Sequence, residues 1–358
     1  MKYSIAITII VLLHSGCDFC STGSSGSDSS ISEIFFTAQT MDNQIRIYSI
    51  NVDGSGFREI ASNGILNSAP SKDGTIAFKQ MDDAFQIVLV YRDGTRNSIR
   101  LPYLGISNPV ISPDRKALAF IQKGPNPDTD TLDIINIEGN SGNYGNISIL
   151  TKNVLKGTVA SFSSDGKMIA YPEFNQSANT LEIRVENVQT SLKPIFSKSY
   201  RLTTDINLND FHIEWSLDGK KIVYVMKHDS ISSLFMANIT NNDYKEIALN
   251  AIEVSTPIFD KDNSSLIFVG KDYKLWRLAL QDTILSGVWQ LTKGDSTEHH
   301  INPHLSPDGN KLIFCKYNDD DMRKLGTLTV ATIIRDSNYK IIQNKLWNNV
   351  INGFWSNK

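Results

Sequence analysis

The chain has 358 residues, 41% of them apolar, and its 35 basic residues are offset by 38 acidic ones to a net charge of −3. Such a balance, spread along the chain with no basic block, argues against a grip on a phosphate backbone, so no nucleic-acid partner is expected. Cys17, Cys20 and Cys315 are too few and too scattered for a disulfide framework or a zinc site.

The first thirty residues depart from that average. Met1-Lys2 carries one positive charge, and Tyr3 to Leu13 is an apolar run too short to cross a bilayer core, which needs about 20 residues. Ser15-Gly16 then precede Cys17. This stretch resembles the bacterial lipoprotein signal, with His14 where that pattern prefers an aliphatic residue. The resemblance implies cleavage after residue 16, lipidation of Cys17 and anchoring to a membrane of the bacterial cell envelope; an ordinary signal peptide cleaved nearby is the alternative. Residues 17–31 are mostly Ser, Gly and Asp, a composition that buries too little surface to order itself and reads as a flexible tether.

From residue 32 onward a phrase recurs: a Ser or Asp, a short turn, then an apolar triplet. Its copies are Ser71-Lys72-Asp73-Gly74 before Ile76-Ala77-Phe78, Ser112-Pro113-Asp114 before Leu118-Ala119-Phe120, and Ser163-Ser164-Asp165-Gly166 before Ile169-Ala170-Tyr171. Next are Ser216-Leu217-Asp218-Gly219 before Ile222-Val223-Tyr224, Asp260-Lys261-Asp262 before Leu266-Ile267-Phe268, and Ser306-Pro307-Asp308-Gly309 before Leu312-Ile313-Phe314. Gly supplies positive φ, Asp bonds its own backbone, and Pro suits the turn position wanting φ near −65°. A third strand follows each triplet, as in Arg46–Ile50, Gln86–Val90, Leu132–Ile137 and Lys274–Leu278. An outer strand ends several units, at Ile149-Leu150-Thr151, Tyr200–Thr203 and Trp289–Thr292. No helix is expected after residue 31.

Four antiparallel strands per 40 to 50 residues make the blade of a β-propeller. Ile34-Phe35-Phe36 and Arg46–Ile50 lack a first strand ahead of them, while Phe354-Trp355-Ser356 has the look of a first strand with nothing behind it. The C-terminal strand therefore joins the N-terminal blade and closes an all-β ring over residues 32–358. Seven blades are expected, or six if the 257–293 copy, which lacks the Gly, is not a blade.

The Ser-Pro-Asp-Gly-Lys-like turn followed by Ile-Ala-Phe resembles the WD-like repeats of the TolB-like propeller family, over roughly residues 33–358. TolB carries a separate α/β domain before its propeller, whereas here the propeller is expected to begin almost directly after the tether, so the resemblance implies the propeller and not TolB's role. Related propellers are joined to serine peptidases, but no Gly-x-Ser-x-Gly nucleophile elbow occurs here. The one group with metal-ligand chemistry is histidine: His299, His300 and His304, with His212 in Phe211-His212-Ile213-Glu214-Trp215 at the same repeat position. His212, His300 and His304 could converge on a channel ion with Glu214 or Glu298. This would resemble the metal-dependent carbohydrate lyases with seven-bladed propellers, of the oligogalacturonate type. The plainer expectation is channel-lining residues bonded to water and backbone. The acidic runs Asn318–Asp321 and Asp128–Asp130 read as solvated tips, and Trp215, Trp276, Trp289, Trp347 and Trp355 as strand core. No cofactor is expected. The combined reading is an envelope-anchored, non-catalytic propeller that binds a protein or glycan partner through its loops and channel mouth.

Overall fold

The computed structural model describes residues 33–83, 86–101, 105–124, 129–138, 147–155, 159–188, 194–201, 211–228, 231–247, 254–280, 285–318, 326–335 and 340–355. The recurring turn is built the same way each time. Ser71, Ser112, Ser163, Ser216 and Ser306 are buried, and each hydroxyl donates to the Asp two residues on, at 2.5–2.7 Å. That Asp in turn accepts the backbone N–H two residues further, at 3.0–3.1 Å. The turn closes with a residue at positive φ: Gly74, Gly166, Gly219 and Gly309, at +66° to +83°. In the 257–293 copy Asn263 takes that conformation at φ +55°, which the side chain of Asn tolerates best after Gly. The 257–293 copy is therefore a full blade, and the six-blade alternative falls.

Each turn joins an inner strand to a second strand, and four antiparallel strands follow in order outward. Blade 1 comprises Gly64–Leu66, Ile76–Gln80, Gln86–Val90 and Arg96–Arg100; blade 2, Ser107–Ile111, Ala117–Gln122, Thr129–Asn136 and Ile147–Leu155; blade 3, Ser161–Phe162, Met168–Asn175, Thr180–Asn187 and Phe196–Arg201. Blade 4 comprises His212–Trp215, Lys221–His228, Ile231–Asn238 and Asp243–Ile247, and blade 5 Val254–Phe259, Ser265–Gly270, Leu275–Leu280 and Leu285–Gln290. Blade 6 has Glu298–Leu305, Lys311–Asn318 and Gly326–Ile334, with its outer strand supplied by the first half of the 16-residue strand Lys340–Trp355. The second half of that strand is the inner strand of blade 7, pairing Val350 with Ala38, Phe354 with Phe35 and Trp355 with Ile34. Glu33–Gln39, Ile45–Asn51 and Arg58–Ser62 complete blade 7. The expected closure of the ring by the C-terminus is present.

The triplet explains how blades pack. Its first and third residues face the preceding blade and its middle residue the following one: Ile76 and Phe78 lie in one apolar cluster and Ala77 in the next, and Leu118 and Phe120 share that next cluster. The pattern repeats around the ring, and the apolar core among the described residues falls into seven clusters, one per blade junction. The third residue is always aromatic (Phe36, Phe78, Phe120, Tyr171, Tyr224, Phe268, Phe314) and no more than 1% exposed, a wedge at each junction. Cys315 is buried in the junction of blades 6 and 7, as expected, with its thiol pushed up to about 12 by burial. Trp215 packs between blades 3 and 4 and donates Nε1–H to the Ser161 carbonyl at 2.9 Å. Trp289 departs from the expected core placement: its strand is an outer edge and it is 46% exposed.

Candidate binding channel

The inner strands surround the ring axis, and three carry the same irregularity. Asn108-Pro109, Thr256-Pro257 and Asn302-Pro303 each place a residue at φ +42° to +52° before a proline, and each ladder slips there by one residue. Positive φ is disfavoured for a β-branched residue such as Thr256, and a bulge of this kind re-aims the side chains beyond it. The slip after Ile301 brings His304 opposite Ile313, the repeat equivalent of Glu214 opposite Val223. Glu214 and His304 thus stand at one level of the channel, with His212 two residues along its strand from Glu214.

His212 is held by the carbonyl of Pro257, from the bulge of the neighbouring blade. Its Nε2 is buried, without a hydrogen-bond partner, and lies 3.8 Å from Oε2 of Glu214. The two side chains remain 27% and 35% exposed, yet protein surrounds them, as it does any group inside a channel. Burial lowers His212 to about 4, with the Pro257 carbonyl opposing, and raises Glu214 to about 7. His304 is likewise lowered to about 4 by burial and by the charge of His212, and its ring sits 4.8 Å from that of Phe354. At neutral pH the channel therefore presents uncharged imidazoles beside a carboxyl that burial makes harder to ionise. Two further inner-strand atoms are buried and unpartnered, Thr256 Oγ1 in blade 5 and Asn352 Oδ1 in blade 7. The amide nitrogen of Asn352 donates to the Leu66 carbonyl of blade 1 at 2.7 Å.

His300 does not join His212 and His304. It is fully buried, with Nδ1 2.6 Å from Thr292 Oγ1 and Nε2 2.6 Å from Glu298 Oε1, and Glu298 pairs with Lys316 at 3.1 Å. Since Glu298 is an acceptor, Nε2 carries the proton and Nδ1 accepts from Thr292, whose oxygen already takes the Leu275 N–H at 2.8 Å. Burial lowers His300 to about 4, with Glu298 opposing. His299 stacks on Tyr273 at 3.9 Å between ring centroids. Among the described residues no three His, Cys, Asp or Glu side chains are grouped so as to hold a metal ion. The ion site of His212, His300 and His304, which the sequence offered beside the plainer reading as channel-lining residues, is not grouped among the described residues. Cys17, Asp128 and the run 319–321 lie outside the described residues, and Asp130 accepts the Gly124 N–H at 3.1 Å.

Beside His300 lies a cation that the sequence does not announce. Lys274 is 3% exposed, and its ammonium donates to the carbonyls of Asp272, Asp295 and Glu298, tying blade 5 to the connection into blade 6. Replacing it by Met leaves those carbonyls without their donor, and Lys274→Met is expected to lower stability by about 3 kcal/mol, measured as a reduced urea midpoint.

No protein-family model matches the chain, and no curated protein does. Solved structures do. The propeller domain of the trilobed protease from Pyrococcus furiosus is similar with a TM-score of 0.58 at 13% identity, over 88% of this chain and 92% of that one. The chain is a β-propeller. Kluyveromyces lactis Hsv2 is similar with a TM-score of 0.55 at 14% identity over 87% and 94%, and the putative TolB from Agrobacterium tumefaciens with 0.48 at 15% over 88% of each. At such identities the likeness is one of fold, and the TolB-like character of the repeats is a likeness of propeller architecture. The protease propeller is described as having an open velcro topology; here strand Lys340–Trp355 closes the ring.

Proposed function

We propose that this chain is a non-catalytic binding module, a propeller carried on the residue 17–31 tether from a lipidated Cys17 at the bacterial envelope, with a protein partner engaged at the channel. The observation that carries this reading is the set of unpartnered polar atoms on the inner strands of three blades: His212 Nε2, Thr256 Oγ1 and Asn352 Oδ1. Buried polar atoms are costly without a partner, and water in the free channel or the amides of a bound segment would satisfy them. Retention from the bacterial envelope is the test. The full chain, immobilised, is expected to retain a protein from envelope extract, and the variant His212→Ala/Glu214→Ala/His304→Ala to lose it. Equal retention by both would move the contact off the channel. A carbohydrate retained in place of any protein would replace the protein partner by a glycan. Loss of membrane association on Cys17→Ala is the matching expectation for the anchor.

A further inference from the structure

In blade 2 the repeated turn breaks its own rule. Ser112-Pro113-Asp114 is followed by Arg115 at φ +57°, where four other blades have Gly and one has Asn. A long L side chain is strained there, and strain of this kind persists where the side chain is needed. The side chain explains the need. Arg115 reaches back to blade 1, with Nε 3.1 Å from Asp73 Oδ2 and its guanidinium 5.6 Å from the centre of the Tyr91 ring. The turns of the two blades are themselves joined, Lys72 N–H to the Pro113 carbonyl at 2.7 Å.

Between these turns and the 91–97 hairpin of blade 1 lies an open cleft of about 410 Å³ lined by Tyr91, Arg92, Arg96 and Arg115 together with Asp73 and Asp93. Both carboxylates are already engaged. Asp73 accepts Ser71 Oγ at 2.6 Å and the Thr75 N–H at 3.1 Å besides Arg115, and Asp93 accepts the Thr95 N–H at 2.9 Å and Thr95 Oγ1 at 2.6 Å. Arg96 gives one nitrogen to the Ile60 carbonyl at 2.7 Å. Arg92 makes no hydrogen bond or ion pair with a described residue, its stem lying over Gly74. Three guanidinium groups therefore border a space of small-molecule size with donor capacity left over. Planar Arg forks match carboxylate and phosphate oxygens in pairs.

We propose that the cleft between the turns of blades 1 and 2 binds an oxyanion-bearing small molecule, a phosphate ester or a sugar carboxylate, through Arg92, Arg96 and Arg115. The cleft shares no residue with the channel, so it stands whether or not the channel binds a partner. Titration calorimetry of the full chain at low salt with inorganic phosphate and with D-glucuronate as probes tests it. At least one probe is expected to bind with a dissociation constant of about 1 mM or tighter. Arg92→Gln and Arg115→Gly are each expected to weaken that binding about tenfold or more, and 150 mM salt to weaken it as well. Arg115→Gly restores the residue that the other turns use and is expected to keep the thermal midpoint within roughly 2 °C, so that lost binding is not lost folding; Arg92→Gln alters an exposed side chain and serves as the second check. Phosphate alone binding assigns the site to phosphate esters, glucuronate alone to sugar acids. Failure of both probes at about 1 mM, or binding unchanged in both variants, overturns the proposal.

Discussion

Deletion of residues 350–358 is expected to lower the thermal midpoint by about 10 °C or to prevent folding altogether. Residues 350–355 of this segment are the inner strand of blade 7, and they bury Val350 to 1% and Phe354 to 8% exposure against blades 6 and 1. Loss of those two side chains costs about 5 kcal/mol by the usual scale for large-to-small changes in a core. Five backbone pairings from Ile34 to Ala38 and the Asn352 bond to blade 1 go with them. For a domain of this size each kcal/mol moves the midpoint by only one or two degrees, which gives the figure above. Calorimetric melting of the truncated chain checks it, and a synthetic peptide of residues 340–358 added in trans is expected to recover part of the loss. An unchanged midpoint would mean that this strand does not hold the ring shut.

Asp133→Val is expected to stabilise the protein by about 3 kcal/mol at pH 8 and by progressively less as the pH falls to 4. Asp133 lies on the third strand of blade 2, opposite Phe120 on one side and Ile149 on the other, and is 1% exposed. Neither carboxylate oxygen has a partner. Burial raises its pKa from 3.8 to about 6. With both states protonated below pH 3.8 there is no penalty from ionisation; between 3.8 and 6 the unfolded chain ionises first and stability falls; above 6 the full penalty persists. A shift of that size corresponds to about 3 kcal/mol. Val occupies the equivalent position in blade 1 at Val88, opposite Phe78. Glu214, also raised, acts in the same direction, while His212, His300 and His304, all lowered, make stability fall as pH drops from 6.5 towards 4. The difference between wild type and variant across pH, from urea midpoints, isolates the carboxyl at 133; a difference that does not change with pH would refute its titration.

The blades were legible in the sequence because their determinants are local. A Ser, an Asp two residues on and a residue tolerant of positive φ make the turn by themselves, and the triplet encodes which neighbour each side chain meets. Asn263 could be overlooked because it does the work of Gly with a different side chain. The double duty of Lys340–Trp355 was only half visible: the sequence marked Trp347 as strand core and 354–356 as an inner strand, but nothing in it pairs the first half with Gly326–Ile334. In the channel His212, Glu214 and His304 were found as residues, but not their level, which a one-residue bulge decides. The Thr-Pro of blade 5, in register with the Asn-Pro of blades 2 and 6, was a signal that could have marked Thr256. Burial of Asp133 and Lys274 carries no such signal, since it depends on which strand covers them from the next blade.

A single strand shared by the last and first blades also sets the order in which the protein can be made. Glu33–Gln39 leaves the ribosome about 320 residues ahead of its partner, since Ile34 pairs with Trp355, which at 5–20 residues per second is a delay of roughly 15–60 s. Through that interval an apolar, unpaired strand edge is on offer to any other nascent chain. A chaperone that covers this edge until residues 350–355 are made would therefore also shield the chain from its neighbours.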